Sequence, residues 1–161
     1  MKIFYCRIGW MSSYRGCSTE KPINGGLYNK DNIGHEVYNY LGYNGRYYGF
    51  VEPGRNSSIH IDRLGARKND NSVNDILVVW VASNPTTGGQ YIIGWYKDAI
   101  VYRKLEKVPD DVMSIRTLKT HNFYDIYSER VTLLEEKDRI FQIKGMGHSN
   151  IWYGNEEVDL S

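Results

Sequence analysis

The stretch Ile76-Leu-Val-Val-Trp-Val-Ala82, followed by Gln90-Tyr-Ile-Ile-Gly-Trp-Tyr-Lys-Asp-Ala-Ile-Val-Tyr-Arg103, decides the fold class of this chain. Both segments are short apolar runs rich in β-branched and aromatic residues and bounded by turn formers, the pattern of buried strands. Asn84-Pro85-Thr-Thr-Gly-Gly89 supplies the turn between them. The second run breaks at Gly94-Trp95-Tyr96, and a kink is expected at Lys97-Asp98 before the sheet resumes over residues 99–103. A glycine inside a strand marks a bulge or the close approach of another backbone or a ligand. The Gly-Trp step recurs at Gly9-Trp10, and Gly145-Met-Gly-His-Ser-Asn-Ile-Trp-Tyr-Gly154 repeats the glycine and aromatic chemistry.

Working outward, residues 2–8, 35–40, 46–51 and 58–64 read as further strands, with Asn44-Gly45 as a turn. Residues 10–30 carry loop chemistry over a length that is uncommon unless functional. Residues 131–138 suit a short helix, with Thr132 as N-cap and Glu135 three places on. Residues 139–143 follow as a late strand, and residues 123–127 read either way. Many short strands with glycine-rich turns and little helix predict an α+β chain, mainly β, built as a sandwich or barrel. We expect one domain over residues 1–154 and a tail or linker over 155–161.

The chain has 161 residues, enough to bury a real core. Its net charge is +1, so no global field draws it to nucleic acid, and such binding needs a local patch. Residues 1–80 hold ten Lys/Arg against seven Asp/Glu, and residues 81–161 hold ten against twelve. The two cysteines, Cys6 and Cys17, make neither a disulfide framework nor a metal cluster. His60 and Asp62 share a strand face in this reading, but no third ligand lies near in sequence, so neither metal nor cofactor is expected. The opening Met-Lys-Ile-Phe-Tyr-Cys-Arg lacks the apolar core of a signal peptide. No apolar run is long enough to span a bilayer, and the expected setting is cytoplasmic, without a membrane partner.

Fourteen Tyr and four Trp stand against four Phe. Tyr and Trp favour surfaces where one end stays wet. Trp10, Tyr14, Trp95, Tyr96 and Trp152 are candidates for an aromatic wall, while Trp80, inside an apolar run, reads as core. Asn24, Asn39 and Asn150 offer the paired donor and acceptor that read a base edge. Arg63, Arg67 and Lys68, with Arg46 and Arg55, form the best basic patch for phosphates. From the shared Gly-Trp step, Trp10 and Trp95 are expected to face one pocket with Asn39 at its rim. His35 and Glu36 leave open a nucleotide-directed enzyme using them as an acid–base pair, and exposed tyrosines leave open a peptide-binding module.

Two stretches, Asp75-Ile-Leu-Val-Val-Trp-Val-Ala82 and Tyr91-Ile-Ile-Gly-Trp-Tyr-Lys-Asp-Ala99, resemble the central strands of the PUA-like superfamily, which includes EVE, YTH, ASCH and SRA domains. Gly34-His-Glu-x-Tyr-Asn-Tyr40, Arg63-Leu-Gly-Ala66, Gly94-Trp-Tyr-Lys-x-Ala99 and Ser149-Asn-Ile-Trp-Tyr153 resemble N-terminal modules of bacterial modification-dependent restriction proteins. The resemblance implies a twisted β-barrel with a few short flanking helices. It also implies nucleic acid as partner, DNA in preference to RNA, with a modified base flipped into an aromatic pocket. Any nuclease or NTPase would then occupy a separate domain of a longer protein.

Overall fold

The computed structural model describes residues 1–24, 33–54 and 57–157, with side chains through Gly154. Eight strands form one sheet: β1 Lys2–Arg7, β2 Tyr47–Gly49, β3 Ser72–Ser83, β4 Gln90–Lys107, β5 Phe123–Ser128, β6 Arg130–Leu133, β7 Gln142–Ile143 and β8 Ile151–Glu157. The main path runs β2-β5-β4-β3-β1-β8 and is not closed. Among the described residues, helix is one turn of α-helix, α1 Asp110–Met113, and 3₁₀ turns at His35–Tyr38, Ile61–Leu64 and Glu136–Asp138. The expectation of a mainly β chain with few short helices therefore holds. No described helix is long and apolar enough to cross a membrane.

The deciding stretch forms the spine. β3 and β4 pair antiparallel from Ser72↔Tyr102 to Ser83↔Gln90. The far edge of β4 is shared in succession by β7 at Gln90 and Tyr91, β6 at residues 94–97 and β5 from Ile100. The expected kink falls where β4 passes from β6 to β5, at Asp98, whose φ is 49°. β1 lies parallel to β3 and antiparallel to β8. Alternation along β3 sends Val78, Trp80 and Ala82 to the larger core, with Phe4, Cys6, Ile8 and Tyr96. Leu77, Val79 and Val81 turn to a smaller one, with Ile3 and Met146. Trp80 is fully buried, edge-on to Tyr96 at 5.2 Å, as its apolar run implied.

Three expected elements differ. In place of the strand expected over 35–40, His35–Tyr38 form a 3₁₀ turn because Glu36, Val37 and Tyr38 are buried in succession, which a half-buried strand cannot achieve. Residues 58–64 turn likewise: Ile61 and Leu64 share a buried side at a spacing of three, and Gly65 closes the turn at φ 100°. The helix expected over 131–138 is β6 followed by a 3₁₀ turn, since Val131, Thr132 and Leu133 find ladder partners in Tyr96, Trp95 and Gly94. Tertiary pairing there overrides the local capping signal. β8 runs on to Glu157, so residues 155–157 belong to the sheet, and 158–161 lie outside the described residues.

Candidate functional site

At the carboxyl end of β1 the chain turns through Gly9-Trp10-Met11-Ser12-Ser13-Tyr14. Every N–H and C=O from Gly9 to Ser12 is satisfied there. Glu36 accepts from the Gly9 amide at 2.9 Å, and Trp10 exchanges both backbone bonds with Ile23. The Tyr14 hydroxyl donates to the Gly9 carbonyl and accepts from the Met11 amide. Glu20 accepts from the Ser12 and Ser13 amides at 2.9 and 2.8 Å. Arg139 donates to the Met11 and Ser12 carbonyls at 2.7 and 3.0 Å, and to Leu134 as well. Backbone held so completely by distant side chains is a preorganised element. Tyr14 adopts φ 53°, a strained conformation for a bulky residue.

Trp10 is clamped between two of these supports. The Arg139 guanidinium lies over its ring at 4.7 Å, and its Nε1 donates to Glu136 at 3.3 Å. The same Glu136 oxygen accepts from the Ser12 hydroxyl at 2.6 Å. Against this corner lies a cavity of about 570 Å³, bounded by Trp10, Ser12, Glu20, Lys21, Ile23, residues 84–87 and Glu136. That volume is within the usual range for ligand sites. Burial works to raise the Glu20 pKa, but hydrogen bonds from Ser13 and Ser12 outweigh it and hold the carboxyl below its ordinary value. The cavity thus presents carboxylate acceptors beside an indole.

The sequence-predicted residues separate into four groups. Trp10 lines the cavity, and Asn24, at φ 66°, follows its lining residue Ile23. Tyr14, Asn39 and Tyr96 are core. Asn39 holds the Phe50 backbone through both ends of its amide, at 3.2 and 2.9 Å, and the Tyr96 hydroxyl donates to the Asn39 carbonyl. Trp95 packs with the smaller core, on the sheet face opposite Trp10, so the expected shared pocket with Asn39 at its rim does not exist. Adjacent residues point to opposite faces of a strand, and Tyr96 takes the inward position. Trp152 packs tilted against Tyr5 at 5.1 Å, and Asn150 joins the Arg7 side chain to the Glu52 carbonyl.

The basic residues lie elsewhere. Arg46 is paired with Asp111 at 2.8 Å. Arg63 covers the Tyr153 ring at 4.3 Å, whereas Arg67 and Lys68 are exposed. The turn carrying Arg63, Arg67 and Lys68 precedes β3, at the end of β1 opposite Trp10. Arg55 is outside the described residues. Arg139, Glu136 and Glu20, which build the corner, carried no sequence signal: each sits in an ordinary polar run far from Trp10.

His35 and Glu36 face different neighbours. Glu36 meets the Gly9 amide, while His35 stacks on His121 at 4.2 Å and lies tilted against Phe50 at 4.8 Å. Burial first, then the charges of His121 and Arg116, pulls the His35 pKa down to about 4. Its unfolded value is about 6.5, so the stability tied to neutral His35 is complete above that and is lost as pH falls toward the folded value. Comparing wild type with His35→Gln isolates this effect from Asp125, whose raised pKa acts in the opposite sense. Discounted for solvent screening, the wild-type advantage should shrink by about 1–2 kcal/mol between about pH 7.5 and 4.5 in denaturant melts. An advantage equal at both values would refute the assignment.

Among the described residues no three His, Cys, Asp or Glu gather as a metal-ligand set, and Cys6 and Cys17 are free thiols. Compared with family models, curated proteins and solved structures, the chain matches none.

Proposed function

We propose that this chain is a PUA-like nucleic-acid-binding module that takes a modified base, extruded from the stack, into the Trp10 cavity. It would serve as the targeting part of a restriction or defence system. The clamped Trp10 beside Glu136 carries the reading. An indole wall suits a flat ring and the apolar contact of an added methyl group, and stacking contributes about 1–3 kcal/mol per base. Glu136 and Glu20 suit a base with an exocyclic amino donor, as in cytosine or adenine. Lys21 on the cavity wall and the exposed Lys68, with Arg67 beside Asp70 at 3.6 Å, are cations that could meet phosphates. β1 has six residues, and at about 3.3 Å per residue it separates the cavity from the basic turn by roughly six base pairs of duplex.

The test is a binding screen over oligonucleotides with plain and methylated cytosine or adenine. Glu136→Ala changes an exposed side chain, so the fold should persist. Affinity for the preferred modified oligonucleotide should fall by about tenfold or more, the size of a lost bond to a charged acceptor. If no oligonucleotide binds, or if Glu136→Ala binds as wild type does, the reading fails.

A further inference from the structure

A second cavity, of about 370 Å³, opens toward the other end of β4. It arises from a fault in the ladder. β4 and β5 pair at Val101↔Ile126 and again at Glu106↔Tyr124, so residues 102–105 stand opposite Asp125 alone. Extra residues in one strand bend it away from its partner, and such bulges are over-represented beside sites. Asp125 lines the opening yet is only 4% exposed. Its Oδ1 accepts from the Val51 amide at 3.3 Å. No described cation is paired with it: Arg103, on the wall, is committed to Asp62 at 3.0 Å and to the carbonyls of Asp70 and Arg67.

We propose that this cavity binds a small organic ammonium ion with an apolar body, the ammonium seated on the Asp125 carboxyl. Val51, Ile59 and the half-exposed Leu105 supply the apolar walls. The groups facing Asp125 are Glu52, Cys6 and Tyr96, with Arg103 and Lys104 on the cavity wall. Burial, reinforced by the Glu52 carboxylate, holds Asp125 well above its ordinary pKa, and burial also keeps the Cys6 and Tyr96 protons in place. Asp125 therefore starts neutral. On binding, its proton leaves to solvent, and a carboxylate–ammonium pair remains. Such a pair in an apolar site is worth more than the same pair in water. The site is separate from the Trp10 corner and does not rest on the function proposed there.

The test is calorimetry on the full chain near neutral pH, with benzylammonium, benzyl alcohol and benzoate as probes, in two buffers of different ionisation heat. Benzylammonium should bind about tenfold or more tightly than the isosteric alcohol, release close to one proton, and shift the Val51 and Asp125 amide resonances. Benzoate should not bind. Asp125→Asn mimics the neutral acid, so it should fold, yet it should lose both the proton release and about tenfold in benzylammonium affinity. Leu105→Arg should weaken benzylammonium and spare the alcohol. Equal binding of the alcohol, absence of proton release, an unchanged Asp125→Asn, or no benzylammonium binding at millimolar concentration would each overturn the proposal.

Discussion

Replacing Arg139 with Ala is expected to cost about 3–4 kcal/mol of stability, a large share of the 5–15 kcal/mol that holds a domain of this size. Arg139 is 3% exposed and donates to three carbonyls, those of Met11, Ser12 and Leu134. Truncation leaves one buried and two half-buried acceptors without their partner, and an unsatisfied buried group costs about 1–3 kcal/mol. It also removes the guanidinium from the Trp10 ring. Arg139→Lys should recover less than half of the loss, because one compact ammonium cannot span acceptors that a planar fork reaches together. Urea melts with an unchanged m-value check this. A loss under about 1 kcal/mol would mean that the corner holds itself without Arg139.

Gly94→Ala should cost about 3 kcal/mol, at the upper end for overpacking. A Cβ at this position would collide with the Thr132 carbonyl and the Tyr40 hydroxyl and lie 3.2 Å from the Leu133 Cα. Two of these are β6 backbone atoms, which cannot yield without parting the β4–β6 ladder. The Tyr40 hydroxyl also donates to Thr132 at 2.8 Å, so one glycine sets the approach of both elements. Tyr40→Phe removes one colliding atom. The double variant should therefore lose less than the sum of the singles, a coupling that a thermodynamic cycle measures. Additive losses would place the strain solely on β6.

The sheet was legible where the pattern was local and the outcome was buried strand. β3 and β4 follow from their apolar runs, and Trp80 follows from its neighbours. Gly94 signals a close approach, and the approaching groups are β6 and Tyr40. The sequence does not place Trp95, because the Gly-Trp step says nothing about which sheet face the indole takes. One residue of register decides that, and Tyr96 holds the inward position. The role of Asn39 is not legible either, because a polar amide looks the same whether it meets a ligand or the Phe50 backbone. Arg139 and Glu136 act on Trp10 from a sequence distance that no periodicity spans. Among the expected aromatics only Trp10 lines the corner cavity, beside two carboxylates that no motif announced.

The placement of β1 between β3 and β8 has a consequence for synthesis. β1 pairs with β3 once residue 83 has left the ribosome, but its other edge, along Phe4, Tyr5 and Cys6, waits for Tyr153, Trp152 and Ile151. At about 5–20 residues per second, translating from β3 to the end of β8 takes roughly 4–15 s. Throughout that interval a nascent chain presents an apolar, unpaired strand edge one place in from the rim of its future sheet, the kind of template on which neighbouring chains aggregate. β8, the last of the described strands, is the one that seals the first.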